Sequence, residues 1–332
     1  MLLLFAQFLA LAAVIVTAGS FLARYGDAIG EQTGLGGSLA GLILLASATS
    51  LPELTVDCSA AMIGAPNLAV GDLFGSSLFN LLILAGLDLY YRPRGEMFSR
   101  ISAAHALSAT MSVILTAIAL MAMLLAPDWT IAGIGPGPVA ILLTYVLALR
   151  LVFYDQRFAI TELGQKRGVE TAVFVPLQRA IIGFVMATFV ILAAAPSLAA
   201  TADELAEQSG LGGTFLGTTL VALSTSLPEL VTTLTAIRIG ARDLAVGNIF
   251  GSNSFNMAIL AVVDGFYRGS LLSSVSPTHA VTAVSVILVT SVATMSLLYR
   301  PKKRWWLIEP DALLIVALIV GALLLIYKLR AA

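Results

Sequence analysis

The chain has 332 residues, of which 59% are hydrophobic and only 11% charged, with a mean hydropathy of +0.97. Soluble domains carry about 25% charged residues, so the composition is that of a polytopic membrane protein. A net charge of −1 without a dense basic cluster excludes a nucleic-acid face. The single cysteine, Cys58, excludes internal disulfides and cysteine zinc sites, and two histidines are too few for the usual histidine metal site.

Apolar runs near 20 residues read as spanning helices. They fall at about 2–23, 38–63, 67–91, 101–126, 133–154, 177–200, 213–237, 243–267, 276–299 and 310–329. The first lacks a basic leader and a cleavage motif, so it reads as a retained helix and not a signal peptide. The expected fold is an all-α polytopic membrane protein with ten transmembrane helices. Residues 1–154 and 177–332 form two five-helix units joined by a short linker, 155–176. An odd number of helices per unit makes the second unit enter the membrane from the opposite side, which gives inverted repeats. Arg24, Arg92, Arg94, Arg100, Arg157, Lys166, Arg167, Arg238, Arg242 and the basic run Arg300–Arg304 all fall on one side, while Asp128, Asp203, Glu204 and Glu207 fall on the other. The positive-inside bias therefore places both termini outside. Trp305 and Trp306 follow the basic run as an interfacial anchor.

The two halves share more than helix number. Residues 31–80 and 207–256 align without a gap and are identical at 28 of 50 positions, and the likeness runs on through the repeat cores 31–92 and 207–268. Each copy interrupts its apolar run twice. The first interruption is Thr49-Ser50-Leu51-Pro52-Glu53, mirrored by Thr225-Ser226-Leu227-Pro228-Glu229. A proline inside a helix removes one donor and clashes with the carbonyl four residues earlier, which leaves carbonyls near Ala48 and Ser224 without their helical partner. Broken backbone at membrane depth is tolerated where it is buried or lines a cavity. A glutamate at the membrane centre costs roughly 2.5 kcal/mol or more, so Glu53 and Glu229 at matched positions point to function. The second interruption is Gly71-Asp72-Leu73-Phe74-Gly75-Ser76-Ser77-Leu78-Phe79-Asn80, mirrored from Gly247 to Asn256. Its four-residue spacing puts Ser76 and Asn80 on one helix face, and Ser252 and Asn256 on another. Taken singly, such polar residues also serve as interhelical hydrogen-bonding glue. Together they offer an oxygen-only set that suits hard cations such as Ca²⁺ or Na⁺.

The copies differ in charge. Asp57 matches Thr233 and Asp72 matches Asn248. The two aspartates are candidates for a cation-attracting path or proton relay, against the plainer roles of helix cap and vestibule lining. Asp88 and Asp264 recur beside Tyr91-Arg92 and Tyr267-Arg268, which suggests interfacial pairing with those arginines. His105 and His279 at helix starts offer a pH sensor, against the favoured structural role.

These motifs resemble the α-repeats of the calcium/cation antiporter superfamily, the sodium/calcium exchanger-like proteins. The resemblance implies a ten-helix antiporter with a midplane ion site between the second and third helices of each repeat. It implies ion ligands at Glu53, Glu229, Thr49, Ser50, Thr225, Ser226, Ser76, Asn80, Ser252 and Asn256, with backbone carbonyls at Ala46 and Ala222. The first and sixth helices would slide across this core as the gate. Where some prokaryotic members have an aspartate near the start of the eighth helix, this chain has Asn256, so two core carboxylates remain. The implied activity is exchange of Ca²⁺ or a similar cation for Na⁺ with no cofactor and no covalent chemistry. Exchange for H⁺ by the same glutamate pair is the alternative, because two carboxylates in a low dielectric repel and a proton would relieve them. A cation channel would use similar ligands. The implied partners are small cations and membrane lipid, not nucleic acid, and the sequence leaves monomer and homo-oligomer open. The expected location is a prokaryotic plasma membrane.

Overall fold

A computed structural model describes residues 2–91, 103–127, 129–131, 133–163, 175–208, 224–298 and 311–331. Among these, the chain is helical apart from turns, loops and one isolated bridge between Ile131 and Ile134. The helices are α1 (Leu2–Thr33), α2 (Gly36–Thr49), α3 (Leu51–Met62), α4 (Pro66–Tyr91), α5 (Ala103–Leu125), α6 (Pro136–Leu163), α7 (Leu177–Gln208), α8 (Leu227–Arg238), α9 (Arg242–Asp264), α10 (Thr278–Leu298) and α11 (Asp311–Ala331). Among the described residues, seven helices are long and apolar enough to cross a membrane. The pair α2 and α3, bent by 45° at Ser50, counts as an eighth if the two are taken as one broken span, and the apolar part of α11, Ala312–Lys328, is shorter.

Several ends depart from the hydropathy reading. α1 continues past residue 23 to Thr33, and α7 continues past residue 200 to Gln208. Hydropathy stops at the first polar residues, while good helix formers such as Glu204, Leu205 and Glu207 carry the backbone onward. α6 runs to Leu163, into the expected linker. The segment expected at 38–63 is two helices, and within α2 residues Ala40–Leu45 are π-helical. The first part of the segment expected at 213–237, residues 164–174 of the 155–176 linker, Arg92 and the Trp305-Trp306 anchor lie outside the described residues.

Burial sorts the helices into layers. In α9, 89% of the spanning stretch is buried, against 17% for α1 and for α6. α9 is therefore the central post, with α2, α4, α5, α6 and α8 packed round it. Glycines set the closest of these contacts. A Cβ on Gly247 would lie 2.5 Å from the Ser38 carbonyl oxygen, and one on Gly251 would lie 2.6 Å from that of Leu42. From the α2 side of the seam, a Cβ on Gly41 would collide with the Leu244 carbonyl. Backbones meet here with no side chains between them, as small residues permit in membranes. The π-helical turn of α2 lies at this same seam. The mirrored Phe74 and Phe250 are the largest fully buried side chains among the described residues.

At the periphery, α1 and α7 pack along each other. They turn Leu9, Ile182, Met186 and Phe189 outward, each more than half exposed, as suits lipid. Between them lies an apolar crevice of about 530 Å³ lined by residues such as Val14, Phe21, Tyr25 and Val190.

Asp264 does not pair with Arg268 as expected. Its carboxylate accepts from the backbone N–H groups of Gly135 and Leu271, both at 2.6 Å. After α9 the chain turns back through Gly269, at φ 120°, and this brings Leu271 to the buried acid while Arg268 stays exposed. Asp88 is buried, and the arginine expected beside it is Arg92.

The seam gives a first prediction. Gly247→Ala should lower the unfolding midpoint in detergent by the equivalent of about 1–3 kcal/mol. Gly321→Ala in α11, whose added Cβ meets nothing within 4 Å, should leave it unchanged or raise it slightly.

Candidate functional site

The site begins with two broken helices. Pro52 sits in the first turn of α3 and has no N–H to offer Ala48, so α2 ends at Thr49. Ser50 takes a non-helical backbone, φ −94° and ψ 6°, and the ladder resumes from Leu54 N–H to the Ser50 carbonyl at 3.2 Å. Pro228 does the same before α8, with Ser226 at φ −86° and ψ 9° and Leu230 N–H bonded to its carbonyl at 3.1 Å. Each break starts a new helix in the interior, with Glu53 or Glu229 in its first turn. Free N–H groups and the helix dipole favour negative charge there.

Neither Ser50 nor Ser226 caps its own helix. Ser50 Oγ donates instead to Glu229 Oε1 of the other half, at 3.3 Å. Thr49 Oγ1 lies 3.5 Å from Ser252 Oγ and also bonds back to the Leu45 carbonyl at 3.0 Å. The Ala46 carbonyl accepts from Ser50 N–H at 3.1 Å and lies 3.4 Å from Thr49 Oγ1. Thr225 is half-buried beside the second break, Ser76 is buried at 5% exposure, and Ala222 falls outside the described residues.

Sequence alone did not single out Asn253. Asn80 Nδ2 donates to Asn253 Oδ1 at 3.0 Å, and Asn253 Nδ2 donates to the Ser77 carbonyl at 3.1 Å. This two-point bridge ties α4 to α9 and leaves Asn80 Oδ1 without a partner. The duplication pointed away from Asn253, because its mirror position holds Ser77, whose hydroxyl bonds to the Leu73 carbonyl at 2.8 Å. Asn256, the mirror of Asn80, has no such bridge.

What remains is a set of buried polar atoms with no partner: both Glu53 oxygens, Glu229 Oε2, Asn80 Oδ1, Ser226 Oγ, and Oδ1 and Nδ2 of Asn256. Glu229, Asn80, Asn256 and Ser226 are fully buried, and Glu53 is 2% exposed. Leaving a buried polar atom unpaired costs about 1–3 kcal/mol, more when it is charged. Glu53 also feels the charges of Glu229, Asp72 and Asp57. All but one of the unpartnered atoms in this set are oxygens, which is the donor chemistry of a hard cation. Among the described residues, no three His, Cys, Asp or Glu side chains stand close enough to hold one metal ion, so a cation here would draw on amide, hydroxyl and carbonyl oxygen beside the two glutamates. Away from this centre, His105 Nε2 meets Asp243 Oδ1 at 3.2 Å and its Nδ1 lies 3.4 Å from Ser38 Oγ. That contact joins the start of α5 to α2 and α9, a structural role.

The sodium/calcium exchanger protein family profile matches residues 3–154 and 179–329 of the chain. The putative antiporter CaxA of Alkalimonas amylolytica is 30% identical over 239 residues, which is 71% of this chain and 72% of that protein. The sodium/calcium exchanger MaX1 of Methanosarcina acetivorans is 39% identical over 92 residues, 27% of this chain and 26% of its own. In fold, the chain resembles the solved structure of the sodium-calcium exchanger NCX_Mj with a TM-score of 0.70 and 19% identity, over 97% of this chain and 98% of that one.

Asn253→Ala would leave Asn80 Nδ2 unpaired and take from the Ser77 carbonyl its second donor, with an expected loss of about 1–3 kcal/mol in detergent unfolding. A double-mutant cycle with Asn80→Ala should give a coupling of at least about 0.5 kcal/mol; additive losses would mean the bridge carries no energy.

Proposed function

The chain belongs to the sodium/calcium exchanger family, and from that premise we propose that it exchanges Ca²⁺, or a similar hard cation, for Na⁺ by alternating access at the buried oxygen site. The observation that carries this reading is the group of unpartnered, buried oxygens on Glu53, Glu229, Asn80, Asn256 and Ser226. The two glutamates supply charge equal to that of Ca²⁺. The amides of Asn80 and Asn256 and the hydroxyls of Thr49, Ser50, Thr225, Ser226, Ser76 and Ser252 complete the shell, with the backbone carbonyls of Ala46 and Ala222. Ca²⁺ takes six to eight oxygens in flexible geometry, and broken helix ends deliver such oxygens without a rigid cage.

The architecture we assign is ten spans in two inverted repeats, 1–154 and 177–332, with both termini outside a prokaryotic plasma membrane. The matched backbone breaks at Ser50 and Ser226 and the buried pair Phe74 and Phe250 support it. Inversion lets two copies of one motif approach a single site from opposite sides of the bilayer.

Alternating access requires an element that moves against a fixed core. The pair α1 and α7 suits this role. α1 meets the site helices through small residues, so that a Cβ on Gly19 would lie 3.0 Å from Val231 Cγ1 and one on Gly26 would lie 3.1 Å from Leu45 Cδ2. Smooth contacts of this kind let a helix slide with little interlocking, while lipid covers the outer face. Exchange coupled to H⁺ is the second reading, and it is favoured by the two further carboxylates, Asp57 and Asp72, and by the neutral Asn256.

The test is ⁴⁵Ca²⁺ flux in proteoliposomes under separately imposed Na⁺ and H⁺ gradients. Flux driven by the Na⁺ gradient is expected. Flux driven only by the pH gradient selects the second reading, and flux that needs no counter-ion overturns both in favour of a channel. Glu53→Gln and Glu229→Gln should each weaken Ca²⁺ binding roughly 30-fold or more, equivalent to about 2 kcal/mol for a charged group lost from a buried site. Either variant exchanging Ca²⁺ at the normal rate would sink the assignment.

A further inference from the structure

Asp57 lies one turn beyond Glu53 in α3, is fully buried, and has no partner at either oxygen. The nearest hydroxyls in α3 are turned to backbone: Thr55 Oγ1 bonds to the Pro52 carbonyl at 2.8 Å and Ser59 Oγ to the Thr55 carbonyl at 2.8 Å. Asp72 is carried by α4, which packs directly on α3. It is half-buried, and its Oδ2 is sealed from solvent without a partner. No Lys or Arg among the described residues pairs with either aspartate, and the charge of Asp72 reaches Asp57.

The second half of the chain shows what these positions need for packing alone. There, Asn248 Nδ2 donates to Thr232 Oγ1 at 3.1 Å and to Thr233 Oγ1 at 3.0 Å, and Thr232 Oγ1 bonds to the Pro228 carbonyl at 2.8 Å. A neutral amide donates to two hydroxyls across the seam between α8 and α9 and keeps only its uncharged Oδ1 unpartnered. Two carboxylates at the mirrored places bring desolvation and repulsion that the fold does not require. A buried carboxylate with both oxygens unpaired calls for positive charge beside it, as a cation or a proton.

We propose that Asp57 and Asp72 form a second binding station for a hard cation, flanking the Glu53–Glu229 site on one side only. No three acids among the described residues are close enough to share one ion, so no single ion takes both central glutamates together with Asp57 or Asp72. Two carboxylates match a divalent charge, and water reaching the half-buried Asp72 supplies further oxygens. The station has no counterpart across the repeat, so ions approaching from its side meet a carboxylate pair before the central site, and ions on the other side meet a neutral seam. This deepens the proposed function and rests on that reading for the central site.

The experiment is equilibrium binding of ⁴⁵Ca²⁺ and, separately, ²²Na⁺ to the purified full-length protein. The double variant Asp57→Thr/Asp72→Asn installs the residues that already pack the other half, so it is expected to fold. It should lose one bound cation per chain, seen in the Ca²⁺ arm or the Na⁺ arm, while the central ion stays bound, more weakly because Glu53 loses the field of two neighbouring carboxylates. Glu53→Gln/Glu229→Gln should lose the central ion and keep the other. An unchanged count in both arms overturns the station, and so does a variant whose only change is in protons taken up or released. A protein that binds through Asp57 and Asp72 but is indifferent to Glu53→Gln/Glu229→Gln would overturn the central site and leave the station standing.

Discussion

Two prolines at membrane depth set the conditions for everything else in this molecule. Without an N–H at Pro52 and Pro228, a continuous helix is not available to either segment, and the backbone stops and restarts at Ser50 and Ser226. Each restart creates a helix N-terminus in the interior, the one place in an apolar bundle where a glutamate finds a favourable field. The acids, the hydroxyls and the bend of 45° between α2 and α3 are thus tied to one covalent feature repeated twice. A straight helix in either place would bury its glutamate against apolar packing with no polar backbone nearby.

The breaks need a scaffold that holds them together, and glycine provides it. α9 runs through the centre and meets α2 at backbone distance through Gly41, Gly247 and Gly251. That closeness is what lets Ser50 reach Glu229 and Thr49 reach Ser252 across the two halves. Side chains of ordinary size at these three positions would push the helices apart, and the short hydroxyls could no longer span the gap. Asn253 performs the matching task between α4 and α9.

The near-symmetry of sequence is not carried into the hydrogen bonds. Ser50 serves Glu229, but the Ser226 hydroxyl serves nothing and Glu53 keeps both oxygens unpaired. Asn80 is bridged by Asn253 while Asn256 is free on both amide atoms. Asn248 donates to Thr233 across its seam and leaves one neutral amide oxygen unpaired, whereas Asp57 and Asp72 leave theirs with unpaired carboxylate oxygens. Two halves that diverge at a few polar positions therefore give a centre whose sides differ in charge and in bonding.

Membrane class, the helical fold, the duplication and the place of the two glutamates beside the helix breaks were all legible in the residues. Hydropathy reports solvent directly, and a gapless repeat of 28 identities in 50 is a covalent fact independent of folding. The proline breaks were legible for the same reason, since the missing N–H is a local property of the residue. Helix ends beyond the apolar runs were not, because α1, α6 and α7 continue on backbone propensity after hydropathy has stopped. Nor were the partners. Asp264 takes two backbone N–H groups and not Arg268, and Asn253 bridges where its mirror Ser77 does not. Hydrogen bonds between distant segments depend on which backbones come close enough to share a donor, and that distance is set by packing across the whole bundle. Residue types named the chemistry available at each position; only the tertiary structure decided which oxygens were used up and which were left open.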